Sequence, residues 1–316
     1  MSVFTKVSHA ELLEHLRQYP LGELLGYQGI GEGVENTNYF VDTTDGRWVL
    51  TLFERTEEAA LPFFLGLIEH LAARGYPCPA PAHALNGETL TRLHGRPAAF
   101  VRRLIGNSVL FPTLHQCAAV GTALGELHVL AANFPMRRAN ERGAQWRESI
   151  GRALLPLLEA RDAQLIVDEL QMQARHDLGS LPQGVIHADM FRDNVMFVEE
   201  RLSGVIDFYY ACNDALLYDL AITVNDWCAE PEGYINHARA EALIGAYRAC
   251  REPTPVEADA WNTALRAAAL RFYLSRLQDW HHPRDGDLVH VKDPAAFRRV
   301  LEHHRADPPP PLHAHD

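Results

Sequence analysis

The chain has 316 residues, 47% of them hydrophobic and 22% charged, a balance that gives a globular protein with a large core and excludes a disordered one. Its 41 acidic against 29 basic residues leave a net charge of −12, which argues against a broad nucleic-acid or anionic-membrane surface but leaves room for a local basic pocket. Five scattered cysteines form neither a disulfide framework nor a thiolate zinc site, and with no secretory signal or membrane span a reduced, cytoplasmic setting is expected.

Ser8 followed by Glu11 predicts a capping box opening a short first helix. Gly26, Gly29, Gly31 and Gly33 then precede Asn38-Tyr39-Phe40-Val41, and an Asp45-Gly46 turn leads into Trp48–Phe53: strand, turn, strand. A helix is expected over Glu57–Arg74, with Phe64, Leu67, Ile68 and Leu71 as its buried stripe. Leu90–Leu93 and Ala99–Leu104 predict two more strands around Gly95. From Leu114 the period turns helical behind a second capping box, Thr113 with Gln116. Helical patterning continues over Trp146–His176, Ala215–Trp227 and Ile235–Arg248, and Trp261–Leu277 predicts one long helix. A small lobe over 1–105 and a larger, mainly helical lobe over 106–306 are therefore expected, a single continuous domain being the plainer alternative. The proline-rich tail over 307–316 is expected to be disordered.

Within the helical region the strand-like pair Val195–Val198 and Gly204–Phe208 stands out, since an isolated hairpin gains little unless it is packed or functional. The run Gly184-Val185-Ile186-His187-Ala188-Asp189-Met190-Phe191-Arg192-Asp193-Asn194 leads into it, and Asp207 leaves it. Asp189 and Asn194 are five positions apart, the spacing between base and metal-binding asparagine in protein kinases. A tight hairpin would bring Asn194 beside Asp207, and two oxygen donors next to a third carboxylate suit Mg²⁺ and phosphoryl transfer. Asp189 is the candidate base, and Asn194 and Asp207 are the candidate metal ligands. The plainer readings are a loop carboxylate, a turn asparagine and a strand-end ion pair. Asp207-Phe208-Tyr209 lacks the glycine of the protein-kinase triplet, so no kinase activation loop is implied. His187 is expected to support the loop, and Asp219 to brace the lobe structurally.

Gly29, Gly31 and Gly33 are candidates for covering nucleotide phosphates; ordinary turn glycines are the alternative. A dinucleotide fold is disfavoured, because these glycines precede a strand rather than a helix. The only lysines are Lys6 and Lys292, so the second-strand lysine of a kinase is missing and Thr51 stands near its place. Arg55 is the candidate substitute, with Arg92, Arg102 and Arg103 as others and Glu58 as a carboxylate to organise such an arginine.

Taken together, these segments resemble the aminoglycoside phosphotransferase/choline kinase superfamily, and within it the homoserine kinase branch of proteobacteria. The resemblance is carried by Gly31–Phe40, Val49–Glu54, Leu61–Phe64, Gly184–Phe197, Arg271–Leu277, His282–Gly286 and Val289–Pro294. It implies a two-lobed, protein-kinase-like α+β fold with ATP between the lobes. It also implies transfer of phosphate from ATP, with Mg²⁺, to the side-chain hydroxyl of L-homoserine, a step toward threonine. By the same resemblance Asp189 is the base and Asn194 and Asp207 are the Mg²⁺ ligands. Asp226, Glu230, Arg271 and Arg276 are candidate contacts to the amino-acid end of the substrate. A kinase for choline or an aminoglycoside, or a kinase-derived binding protein with little turnover, are the competing functions. A monomer is expected, since no coiled coil or second assembly module appears.

Overall fold

The computed structural model describes residues 5–31, 36–176, 178–282, 292–307 and 310–312. Two compact units part after Ile105.

In the first unit, α1 (His9–Leu16) is opened by its capping box: Ser8 Oγ accepts from Glu11 N at 3.3 Å and the Glu11 carboxylate accepts from Ser8 N at 2.8 Å. Five antiparallel strands follow: β1 (Leu24–Gly29), β2 (Thr37–Thr43), β3 (Gly46–Leu52), β4 (Thr91–Leu93) and β5 (Arg96–Arg102). Their order in the sheet is β1-β2-β3-β5-β4. Alternation along β2 turns Tyr39 and Val41 inward, where they join Leu50, Leu52 and Phe100 of the sheet and Leu12 and Leu16 of α1. The helix expected over Glu57–Arg74 is α2 (Leu61–Ala72), preceded by a 3-10 turn over Glu58–Ala60. Phe64, Leu67, Ile68 and Leu71 are all buried on it.

The second unit holds the remaining helices: α3 (Leu114–Leu130), α4 (Ala144–Leu154), α5 (Ala160–Gln173), α6 (Leu216–Trp227), α7 (His237–Cys250), α8 (Pro255–His281) and α9 (Pro294–Ala306). Thr113 caps α3 through the expected box with Gln116. The helical stretch over 146–176 is broken into α4 and α5 by a 3-10 turn at Leu155–Leu157, where Pro156 removes a backbone donor. Two short antiparallel pairs lie among the helices: β6 (Gln183–Ile186) with β9 (Cys212–Ala215), and β7 (Val195–Val198) with β8 (Arg201–Val205). The expected strand to Phe208 ends instead at Val205, because Asp207 takes a left-handed conformation (φ 63°) and a 3-10 turn follows over Phe208–Tyr210. The proline-rich tail also departs from expectation at its described residues. Trp261 Nε1 of α8 donates to Pro310 O at 2.9 Å and Leu312 is buried, so this part is fastened to the second unit.

Candidate active site

Eight residues, His187 to Asn194, form a loop between β6 and β7, and α6 anchors it from one face. Asp219, Asp226 and Trp227 are spaced at seven and eight positions on that helix, so their side chains project the same way. Asp219, with no exposed surface, accepts from His187 N at 2.7 Å and Ala188 N at 2.8 Å. Asp226 accepts from Arg192 N at 2.8 Å and Arg192 Nε at 3.2 Å. Trp227 Nε1 donates to Met190 O at 2.9 Å. Capturing two consecutive amides requires the chain to turn sharply, and Ala188 sits in the left-handed region at φ 62°. Such a conformation costs a non-glycine residue on the order of 1–3 kcal/mol and persists only because its surroundings hold it.

His187 ties the loop to the end of the hairpin. Its Nε2 lies 3.0 Å from Ile206 O and its Nδ1 lies 3.3 Å from Asp189 N. Nε2 is thus the protonated nitrogen, donating to the carbonyl, while Nδ1 accepts. Complete burial lowers the pKa of this ring and keeps it neutral.

Asn194 performs a second fastening. Its Nδ2 donates to Asp189 O at 2.9 Å and to Asp189 Oδ2 at 3.1 Å, which leaves the amide oxygen as the atom able to meet a cation. Ile206 N donates to Asn194 O at 2.9 Å, extending the β7–β8 ladder by one pair, and Asp207 is the next residue along. The hairpin therefore brings Asp189, Asn194 and Asp207 to one end. The Asp189 carboxyl is pushed up to about 7, first by desolvation, with Asp207 and Asp226 adding like charge and Arg271 and Lys292 opposing. Asn194 and Asp207 offer hard oxygen donors, and among the described residues no group of three or more His, Cys, Asp or Glu forms a closed metal cage. That donor set fits Mg²⁺, which takes one or two protein oxygens and completes its shell with phosphates and water.

The remaining candidates in this unit differ in how they are engaged. Glu230 pairs with Arg239 at 3.2 Å and accepts from Asn236 Nδ2. Arg276 donates to Asp293 O at 3.0 Å and lies over the Phe297 ring. Arg271, 4% exposed on α8, faces Asp189 Oδ1 from 3.7 Å. One buried contributor escaped the sequence reading: His128 on α3 meets Asp219 Oδ2 at 3.2 Å through Nε2 and Tyr247 OH at 2.9 Å through Nδ1. Its signal was a polar residue in register with buried Gly121, Leu124 and Gly125.

In the first unit, Gly29 closes β1 opposite Tyr39, Gly31 is exposed with open space beside it, and Gly33 lies outside the described residues. Thr51 hydroxyl donates to Asn38 Oδ1 at 2.7 Å. Arg55 is exposed, and Glu58 pairs with Arg92 rather than with Arg55. Arg102 lies over Trp48 and Arg103 over Phe40, which accounts for both guanidiniums within the sheet.

The sequence model of the phosphotransferase enzyme family matches residues 26–253. The chain belongs to that family. Full-length relatives agree: this phosphotransferase is 48% identical over 303 residues to a homoserine kinase of Methylobacillus flagellatus, covering 96% of this chain and 95% of the relative. It is 44% identical over 317 residues to a homoserine kinase of Janthinobacterium sp., covering 99% and 98% of the two chains. Among solved structures, an amicoumacin kinase hAmiN complex with AMP-PNP, Ca²⁺ and Ami superposes with a TM-score of 0.71 at 13% identity, over 98% of this chain and 96% of that one. Spectinomycin phosphotransferase APH(9)-Ia, in complex with ADP and spectinomycin, gives 0.70 at 16% identity over 94% and 95%. These structures establish the two-lobed, protein-kinase-like α+β fold of the phosphotransferase. Its activity at this level is ATP-dependent phosphoryl transfer to a small hydroxylated substrate. Among the described residues no helix is long and apolar enough to cross a membrane.

Proposed function

We propose that this phosphotransferase moves the terminal phosphoryl group of ATP to the side-chain hydroxyl of L-homoserine, giving O-phospho-L-homoserine and ADP. The observation that carries the substrate is near full-length similarity, at 44–48% identity, to homoserine kinases of several bacteria. The chemistry rests on the loop geometry. Asp189 Oδ2 is held by Asn194, so Oδ1 is the oxygen positioned to orient the acceptor hydroxyl and take its proton as the bond to phosphorus forms. A carboxyl pushed up to about 7 is a stronger proton acceptor than an ordinary aspartate, yet it still becomes ionised as the pH rises above neutrality. Asn194 and Asp207 would hold Mg²⁺, which supplies positive charge against the phosphate oxygens when bound. His187 and Asp219 keep the loop from turning Asp189 away. Gly29, Gly31 and Gly33 would cover the phosphates with backbone rather than with a lysine.

The test is purified protein with ATP and Mg²⁺ against L-homoserine, L-serine, choline and spectinomycin, with products identified by mass. Homoserine phosphate should dominate by at least about 100-fold in kcat/KM, because a site built for one polar substrate rejects those that leave its groups unpaired. Efficient phosphorylation of another member, with negligible product from homoserine, would falsify the assignment.

A further inference from the structure

Homoserine carries an ammonium and a carboxylate beside the reacting hydroxyl, and only a three-carbon chain separates hydroxyl from carboxylate. Whatever recognises the carboxylate must therefore stand close to Asp189. Among the four charged residues considered for the amino-acid end, three are engaged elsewhere. Asp226 holds Arg192, Glu230 holds Arg239 and Asn236, and Arg276 donates to a backbone carbonyl. Arg271 is different. Its guanidinium is buried, with Cζ 3.7 Å from the Phe272 ring centroid and 5.3 Å from that of Tyr210. Among the described residues it makes no hydrogen bond, and its one ion-pair contact is Asp189 Oδ1 at 3.7 Å, beyond hydrogen-bonding reach. A nearly enclosed guanidinium whose donors are not taken up by protein acceptors is open to an anion that reaches this end of the hairpin. The oxygen it faces is the one Asn194 leaves untied, so a substrate hydroxyl meeting Oδ1 arrives with its carboxylate beside Arg271.

We propose that Arg271 is the specificity residue of this enzyme, pairing with the α-carboxylate of the amino-acid substrate while the flat aromatic faces of Phe272 and Tyr210 fix the plane of its fork. The proposal rests on the homoserine reading above. Planar two-point recognition is a property of arginine that lysine lacks, so the two are not interchangeable here.

The experiment compares L-homoserine with 3-amino-1-propanol, the same chain without its carboxylate, in wild type, Arg271→Met and Arg271→Lys. Assays are run in alkaline buffer so that protonation of Asp189 does not enter, and melting curves check that each variant is folded. Wild type should prefer homoserine strongly; if it phosphorylates neither homoserine nor its analogue, the homoserine reading fails and not merely this residue's role. Arg271→Met should lower kcat/KM for homoserine about 100-fold, chiefly through KM, as expected for losing a charge-assisted pair. The amino alcohol should lose far less, so that the preference collapses. Arg271→Lys should fall between, at about tenfold. Two outcomes overturn the proposal: equal losses for both substrates in folded Arg271→Lys or Arg271→Met, or a homoserine KM that does not move. Should Arg271→Met fail to fold, the Lys variant alone decides by the same ratio.

Discussion

In the proposed function Asp189 sets catalysis against stability. Its carboxyl is raised from 3.8 to about 7, so between those values the folded state binds a proton that the unfolded chain has released. Stability therefore falls as pH rises through this window, and above it the folded protein bears the full cost of a poorly solvated charge. Without nucleotide, Asp189→Asn should be more stable than wild type by on the order of 2 kcal/mol near pH 8, with the difference vanishing near pH 4. Urea unfolding at the two pH values measures this; an equal or lower midpoint for the variant near pH 8 would contradict it. At this scale much of the site was legible in the sequence. The five-residue spacing of Asp189 and Asn194, with Asp207 after a short hairpin, is a local pattern that a tight turn converts directly into proximity. Arg271 was not resolved from Arg276 by sequence, since both lie on α8; in the structure Arg271 faces Asp189 Oδ1 while Arg276 donates to Asp293 O.

Local chemistry also explains which elements could be foreseen. The two capping boxes are closed by residues three apart, and both appear as hydrogen bonds at α1 and α3. The β2–β3 hairpin followed from Asp45-Gly46. By contrast, β1 reads Leu-Leu-Gly-Tyr-Gln-Gly, with no alternation to mark it, and is held as a strand by its pairing with β2. The β6–β9 pair joins four-residue segments far apart in sequence, and α9 mixes histidines and arginines around an apolar stripe of Phe297, Val300 and Leu301. Helix α3 shows how closely elements approach in the second unit. A Cβ on Gly121 would stand 2.0 Å from Leu243 O of α7, and one on Gly125 2.7 Å from Cys250 Cβ. The first obstacle is backbone, which cannot step aside. Gly121→Ala should cost about 3 kcal/mol or more, despite alanine's better helix propensity, by forcing the two helices apart. A denaturation midpoint unchanged or raised in Gly121→Ala would show that the contact is looser than described.

On the scale of the whole molecule, each unit buries a histidine that must stay neutral. His15 in the first unit and His304 in the second are both lowered from 6.5 to about 4, chiefly by desolvation. The unfolded chain takes up protons at these positions below about 6.5 while the folded state resists. Their stabilising contribution is therefore complete above that value and is lost as pH falls toward about 4. Acid should weaken the protein by up to about 3 kcal/mol per histidine over this range. His304→Gln, which can still donate to Asn225 Oδ1, should flatten the pH dependence of the urea midpoint; an unaltered slope would show that His304 is not a source of it. The two-lobed α+β class was readable from the change of hydrophobic period along the chain, because that change reflects which faces are buried.

The proposed function gives separate duties to two carboxylates at the end of one hairpin, and single-turnover kinetics with independently measured MgATP affinity separate them. Asp189→Ala should lower the transfer rate to homoserine by about 10²–10⁴-fold with MgATP affinity within about twofold of wild type. Asp207→Ala should lose both rate and affinity. Transfer at the wild-type rate by Asp189→Ala, at saturating substrate, would contradict the account.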